Sequence, residues 1–245
     1  MLKVEGVYQS YRRSGLLRRT NHEVLRNIGF EWEKGECLGI IGESGSGKST
    51  LGRLLLGIDK PVRGSITFDG KPIADRKTRR GAISAVFQDY TSSINPFYTV
   101  RQAILEPLRL RKSENESFDF GSLLREVGLD ESYLDRYPHE LSGGEAQRVC
   151  IARAVASKPA CILLDEAISS LDGSVQMQVL ELLRNLRETF GMGYIFITHD
   201  IQAAAYLCDR MMIIRGGEIE ELVRTEELAN VQSPYAKELL RKVIS

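Results

Sequence analysis

Gly42-Glu43-Ser44-Gly45-Ser46-Gly47-Lys48-Ser49-Thr50 is the stretch on which the reading of this chain turns. Before it, Cys37-Leu38-Gly39-Ile40-Ile41 is unbroken in apolar character, as a strand buried on both faces is. After it, the leucines of Leu51-Gly52-Arg53-Leu54-Leu55-Leu56 suit the start of a buried helix. Strand, glycine loop and helix form the context in which G-x-x-x-x-G-K-[ST] reads as a phosphate loop. Glycines let successive backbone N–H groups turn into one concavity, and the helix N-terminus adds partial positive charge there. Lys48 then reaches the β- and γ-phosphates, and the Ser49 hydroxyl can ligate Mg²⁺. The stretch implies a nucleoside triphosphate site.

The surrounding 245 residues allow one large domain or a core with an inserted lobe. Basic and acidic residues balance at 33 each, so no global charge draws nucleic acid or an anionic membrane. Cys37, Cys150, Cys161 and Cys208 form no C-x-x-C pair and no cluster with metal spacing, so a reduced chain is expected. No apolar run approaches the roughly 20 residues that a membrane helix requires. Met1-Leu2-Lys3-Val4-Glu5 lacks the order of a signal peptide. Any membrane role is therefore expected to come through a partner.

Strand signals precede the loop. Leu2 to Tyr8 alternates, as do Ile28, Phe30 and Trp32, which predicts antiparallel strands with one covered face. Between them the basic run at 12–19 is expected to be a solvated loop. Gly64 to Phe68 reads as a strand closed by an Asp69-Gly70 turn. Ile83 to Phe87 reads as a further strand, ending at Gln88. Residues 100–111 and 120–127 read as helices, joined by the polar linker 113–117. Later come helices opening at Ser142 and Ser174, buried strands at 160–166 and 194–198, a helix after His199-Asp200, a strand at 211–214, a Gly216-Gly217 turn and a final helix near 235–243. Strands alternating with helices argue for a mostly parallel sheet, whose ligand sits beyond the carboxyl strand ends. Gly42, Gln88, Asp165 and His199 each follow an apolar strand, so these polar elements are expected on one edge.

Each of these groups has an ordinary structural reading when taken singly. Asp165-Glu166 could supply a favourable charge at a helix start. Ser142 and Glu145 are spaced as a capping box, which leaves Gly143 and Gly144 unexplained, because glycine weakens a first helical turn. His199 could be a satisfied strand-end histidine. Beside a phosphate loop, Asp165 can instead hold Mg²⁺ and Glu166 can polarise the attacking water. Backbone exposed at Ser142-Gly143-Gly144 suits a second phosphate contact.

The order of the groups is more telling than any one of them. The loop Gly42–Ser49 (Walker A), Gln88 (Q-loop), Leu141-Ser142-Gly143-Gly144-Glu145 (signature), Ile162-Leu163-Leu164-Asp165-Glu166 (Walker B), Ser169-Ser170-Leu171-Asp172 (D-loop) and His199 (switch) together resemble the ATP-binding cassette ATPases. The resemblance implies an α/β fold, with a P-loop NTPase core of mixed, mostly parallel sheet, an antiparallel β lobe and an inserted α-helical subdomain. Residues 1–245 would form one nucleotide-binding domain. Segments 1–88 and 142–230 would make its core, 89–141 the inserted subdomain and 231–245 a C-terminal helical tail. The loop from Gly42 to Thr50, Lys48 included, would hold ATP phosphates, with Ser49, Gln88 and Asp165 organising Mg²⁺. Glu166, His199 and Gln88 would be the catalytic groups. Tyr11, or else Tyr8, would stack on adenine. Ser142, Gly143 and Gly144 would serve ATP bound mainly by another subunit. Glu145 stands where glutamine is commonest and Ala167 where many cassettes carry proline; neither change removes a catalytic group.

Several stretches narrow the resemblance. Thr50-Leu51-Gly52-Arg53, Ser92-Ser93-Ile94-Asn95-Pro96, Pro138-His139-Glu140-Leu141-Ser142 and Ser233-Pro234-Tyr235 look like the dipeptide, oligopeptide and nickel importer subfamily. Gln147-Arg148-Val149-Cys150 with Asp165-Glu166-Ala167 is most similar to the second ATPase subunit of nickel importers. That resemblance implies ATPase work at the cytoplasmic face of the membrane. It also implies transmembrane permease subunits, a second ATPase (different or identical) and, indirectly, a solute-binding protein. ATP would close the dimer, and closure would pass through the groove beside Gln88 to the permease. A chromosome-maintenance ATPase is disfavoured by the absence of sustained heptads, and a tandem-cassette factor by the single Walker A.

Overall fold

The computed structural model describes residues 1–14, 19–89, 93–109 and 118–244. The chain divides into a first unit, Met1–Arg80 with Tyr194–Ser245, and a second, Gly81–Gly193.

The first unit begins with β1 (Leu2–Ser14), β2 (Arg19–Trp32), β3 (Cys37–Ile41) and α1 (Lys48–Leu55), followed by β4 (Arg63–Phe68), β5 (Lys71–Pro72) and the single turn α2 (Arg76–Arg79). β1 lies between β2 and β4 in an antiparallel sheet edged by β5. The simple alternation expected at 2–8 is interrupted. Leu2 and Val4 are buried, then Val7 and Gln9. A register shift between Val4 and Val7, with Gly6 at φ 53°, marks a β-bulge, which inserts one residue and changes the facing set. The loop expected at 12–19 is also shorter. β1 runs to Ser14, opposite Arg19 of β2, because backbone pairing can extend a hairpin arm without an apolar face; residues 15–18 lie outside the described residues. The Asp69-Gly70 turn is present, with φ of 49° and 74°, the left-handed pair that a tight hairpin requires.

The second unit contains β6 (Ile83–Phe87), α3 (Val100–Leu108), α4 (Phe120–Glu126), α5 (Gly143–Ala156), β7 (Cys161–Asp165) and α6 (Gly173–Phe190). β6 and β7 are parallel. α3 opens in a Thr99–Gln102 capping box and ends at Leu108, short of the expected Arg111, with Pro107 in its last turn unable to donate a backbone hydrogen bond. The polar linker expected at 113–117 lies outside the described residues. Along α6 the stripe Val179, Leu182, Leu183 and Leu186 is buried, while Val175 is half-buried.

The first unit resumes with β8 (Gly193–Ile197), α7 (Ile201–Leu207), β9 (Arg210–Arg215), β10 (Glu218–Arg224) and α8 (Pro234–Ile244). β3 pairs parallel with both β8 and β9, and β10 returns antiparallel on β9. β10 was not expected. Its three glutamates and half-exposed alternation suit a polar edge strand, which pairs by backbone and carries little apolar signal. All four cysteines are buried and none is in a disulfide; burial pushes the Cys150 thiol up to about 12.

Trp32 ties the two sheets of the first unit together. Its indole N–H donates to the Glu36 carbonyl at 3.0 Å and the Tyr194 carbonyl at 3.1 Å, while its ring stacks on Phe68. Trp32→Phe keeps an aromatic in the core and removes both indole hydrogen bonds, while the Glu36 carbonyl keeps the Tyr194 N–H. It is expected to destabilise the protein by about 1–3 kcal/mol, read by equilibrium urea denaturation.

Candidate functional site

The phosphate loop leaves β3, whose five residues are all buried. Gly42 sits at φ 155°, and a Cβ there would lie 2.2 Å from the Ile214 carbonyl oxygen, so no other residue fits without moving β9. Gly47 sits at φ 105° as the N-cap of α1, where a Cβ would come within 2.6 Å of Leu25 Cδ2. The loop is thus wedged between β2 and the end of β9.

Lys48 is only 7% exposed and curls back over the loop, its Nζ donating to the carbonyls of Gly42 at 2.7 Å and Glu43 at 2.9 Å. Ser46 Oγ is buried with no hydrogen-bond partner. A cationic side chain, an orphaned hydroxyl and the N-terminus of α1 at one turn make an anion cradle. Ser49 lies exposed in that first helical turn.

His199 stands at the same strand-end level. Ile40 of β3 pairs with Ile197 of β8, and the Thr198 N–H donates to the Ile40 carbonyl. His199 is exposed, and the next residue, Asp200, caps α7 by accepting from Ala203 N–H. Tyr11, on β1, is 40% exposed; its hydroxyl donates to Asp59, which also receives the Arg53 guanidinium at 2.8 Å and 3.2 Å. Arg53, then Tyr11, hold the Asp59 carboxyl below the usual carboxylate range. This clamp, which sequence reading did not find, fixes one end of the Tyr11 ring.

In the second unit, Phe87 pairs with Asp165 across parallel β6 and β7, so Gln88 and Glu166 leave adjacent strands at one level. Gln88 is exposed, and Asp165 and Glu166 are half-buried. Glu166 adopts φ 53°, a costly conformation for a non-glycine residue, and its carbonyl accepts from both the backbone N–H and the hydroxyl of Ser169. Buried Gln147 of α5 donates to the Ala167 carbonyl, tying this turn to the helix that Ser142 opens.

The Ser142–Glu145 capping box is formed. Ser142 Oγ accepts from Glu145 N–H, and Glu145 accepts from Ser142 N–H at 2.7 Å. The Tyr133 hydroxyl, then the Ser142 N–H, hold the Glu145 carboxyl below its ordinary range. Gly144 has a packing reason that the sequence did not disclose: a Cβ there would approach Val175 of α6 to 3.0 Å. Among the described residues no group of three or more His, Cys, Asp or Glu forms a metal cage.

The ABC transporter family model matches residues 25–169, more than half of the chain. The chain belongs to the ABC transporter family. It is 49% identical to the metal-staphylopine import system ATP-binding protein CntF of Staphylococcus aureus (strain NCTC 8325 / PS 47), covering 100% of both chains. It is 39% identical to the nickel import ATP-binding protein NikE of Escherichia coli (strain K12), covering 100% of this chain and 94% of that one. A dimeric ATP-binding cassette, MJ0796, solved in a post-hydrolysis state with ADP and Pi, superposes with a TM-score of 0.79 at 30% identity over 92% of this chain and 99% of that one. CbiO1 of Clostridium perfringens, part of an ABC transporter complex, gives 0.78 at 28% identity over 99% and 93%. This ABC protein therefore binds and hydrolyses ATP in the work of a transporter, as its motif order implied.

In this ABC chain Gly47→Ala forces a Cβ against Leu25 at a left-handed position. ATP binding is expected to fall below detection by calorimetry, while far-ultraviolet circular dichroism retains the wild-type α/β signal.

Proposed function

We propose that the chain is the ATPase subunit of a bacterial importer that takes up metal, as the nickel ion or as a metal chelate, through membrane permease subunits. The carrying observation is full-length similarity, at 49% and 39% identity, to two relatives named for metal-staphylopine and nickel import, with every catalytic motif residue present. No described helix is long and apolar enough to cross a membrane, and the proposed station is at the cytoplasmic face, held by the permease.

In this reading Lys48 leaves its two carbonyl acceptors for the β- and γ-phosphates, which replace them with a stronger, charge-assisted pairing. The loop from Gly42 to Thr50 holds the rest of the phosphate chain, and the Tyr11 ring stacks on adenine. Ser49, Gln88 and Asp165 offer hydroxyl, amide and carboxylate oxygens, the hard donors that suit Mg²⁺ alongside substrate phosphates. Held by these residues, Mg²⁺ would neutralise phosphate charge. Glu166 polarises the attacking water and His199 contacts the γ-phosphate. Ser142, Gly143 and Gly144 offer the first-turn amides of α5 to ATP held mainly by a second, different ATPase subunit in a head-to-tail dimer.

Closure of that dimer is driven only by the tighter binding of ATP to the closed form. Its route to the permease is a cleft of about 440 Å³ in the second unit, lined by Phe87, Pro107, Cys150 and Arg153 next to Gln88. Arg153 is held in the cleft wall by Glu106 at 2.9 Å and by the Ser93 carbonyl. Residues 89–141 serve as the inserted lobe and lend Ser93 and Pro107 to this cleft, whose other lining residues come from β6 and α5, and 231–245 serve as the tail.

Glu166→Gln keeps the shape of the site and removes its base. ATP binding is expected to persist, turnover to fall at least about 100-fold, and cellular nickel accumulation to be lost with dipeptide uptake normal. Loss of labelled dipeptide uptake with metal accumulation intact would transfer the assignment to peptide import.

A further inference from the structure

The phosphate loop rests on the far end of the chain. The Ile214 carbonyl of β9 floors Gly42, and the Gly217 N–H of the β9–β10 turn donates to the Ser46 carbonyl at 3.0 Å. A third support comes from the C-terminal helix: the Glu43 N–H donates to the Tyr235 hydroxyl at 3.3 Å.

Tyr235 is built to hold that position. It is 6% exposed, and the Arg215 guanidinium lies 4.7 Å from its ring centroid. Arg215 directly follows Ile214, so one short stretch of β9 supports both Gly42 and the ring. The entry to α8 is fixed as well. Glu221 of β10 accepts from the backbone N–H groups of Gln232 and Ser233, and Ser233 Oγ accepts from Ala236 N–H.

The consequence lies in one peptide group. The Gly42–Glu43 peptide is held at its carbonyl by Lys48 Nζ, at 2.7 Å, and at its N–H by the Tyr235 hydroxyl. When phosphate draws Lys48 away, the lysine hold on this peptide is lost and the tyrosine hold remains. A loop that stays ordered through that exchange binds its anion with a smaller entropic penalty.

We infer that Tyr235 is a positioning residue for the phosphate loop, and that α8 sets nucleotide affinity through it. The inference rests on ATP phosphates occupying this loop. It assigns to the tail a role separate from the adenine contact of Tyr11, and predicts an effect on anything with a polyphosphate chain, with or without a base.

The test uses the full chain with Tyr235→Phe, which keeps the ring under Arg215 and removes only the hydroxyl. Calorimetric affinities for ATP and for inorganic tripolyphosphate are expected to weaken together, by about fivefold for one hydrogen bond. KM for ATP should rise with kcat unchanged, and the Glu43 amide should exchange faster with solvent deuterium. Tyr11→Ala, run in parallel, should weaken ATP and spare tripolyphosphate. If Tyr235→Phe leaves amide exchange and both affinities at wild-type values, or weakens ATP alone, the inference is overturned. If Tyr11→Ala spares ATP, the adenine assignment fails while the tripolyphosphate and exchange results still decide the role of Tyr235.

Discussion

A loop that turns its backbone N–H groups toward an anion gives up the regular pairing that would otherwise hold it. The loop from Gly42 to Thr50 meets this constraint with supports from outside itself, and much of the first unit is arranged to supply them. β2 presses Leu25 against Gly47, β9 places a carbonyl under Gly42, the following turn bonds the Ser46 carbonyl, and Lys48 caps the Gly42 and Glu43 carbonyls. The glycines are required by these close approaches as much as by their dihedral angles.

The second unit solves a related problem with different means. Its polar residues leave the ends of two parallel strands, where Phe87 and Asp165 stand level, and the chain must turn sharply to keep them there. Glu166 takes a strained backbone conformation for that purpose, secured by Ser169 and, through Ala167, by Gln147. The signature helix is capped by its own Ser142 and Glu145, with Tyr133 holding the glutamate in place. Glu145 thus has a full set of partners in the cap, which explains how an acidic residue is accommodated at the start of this helix. Gly144 is small because Val175 packs against it, a demand that a Cβ would violate at 3.0 Å.

Supports from distant elements fall on the residues that the motif order marks as functional, whereas the left-handed φ of Glu166 is shared by Asn27, Asp69 and Lys158 outside the motifs. Elsewhere the chain follows ordinary rules: buried strands in apolar runs, helices opened by Thr99, Ser142, Asp172 and Asp200, and left-handed turns at Asp69-Gly70. This agreement between local preference and fold lets the few departures stand out.

The phosphate loop, the strand–helix alternation, the capping box and the order of the motifs were all legible in the sequence, because each strand, cap and motif is written in residues within a few positions of one another and their order is the order of the chain. Period, glycine spacing and cap chemistry are local properties, and local properties survive in a linear reading. The bulge at Gly6, the longer hairpin arm, the polar edge strand β10 and the Asp59–Arg53 clamp on Tyr11 were decided by the tertiary structure. So was the contact between Glu43 and Tyr235, which are 192 positions apart. A single hydrogen bond across that separation leaves no periodicity and no spacing to read. It exists only because β9, β10 and α8 fold back beside the strand from which the loop departs.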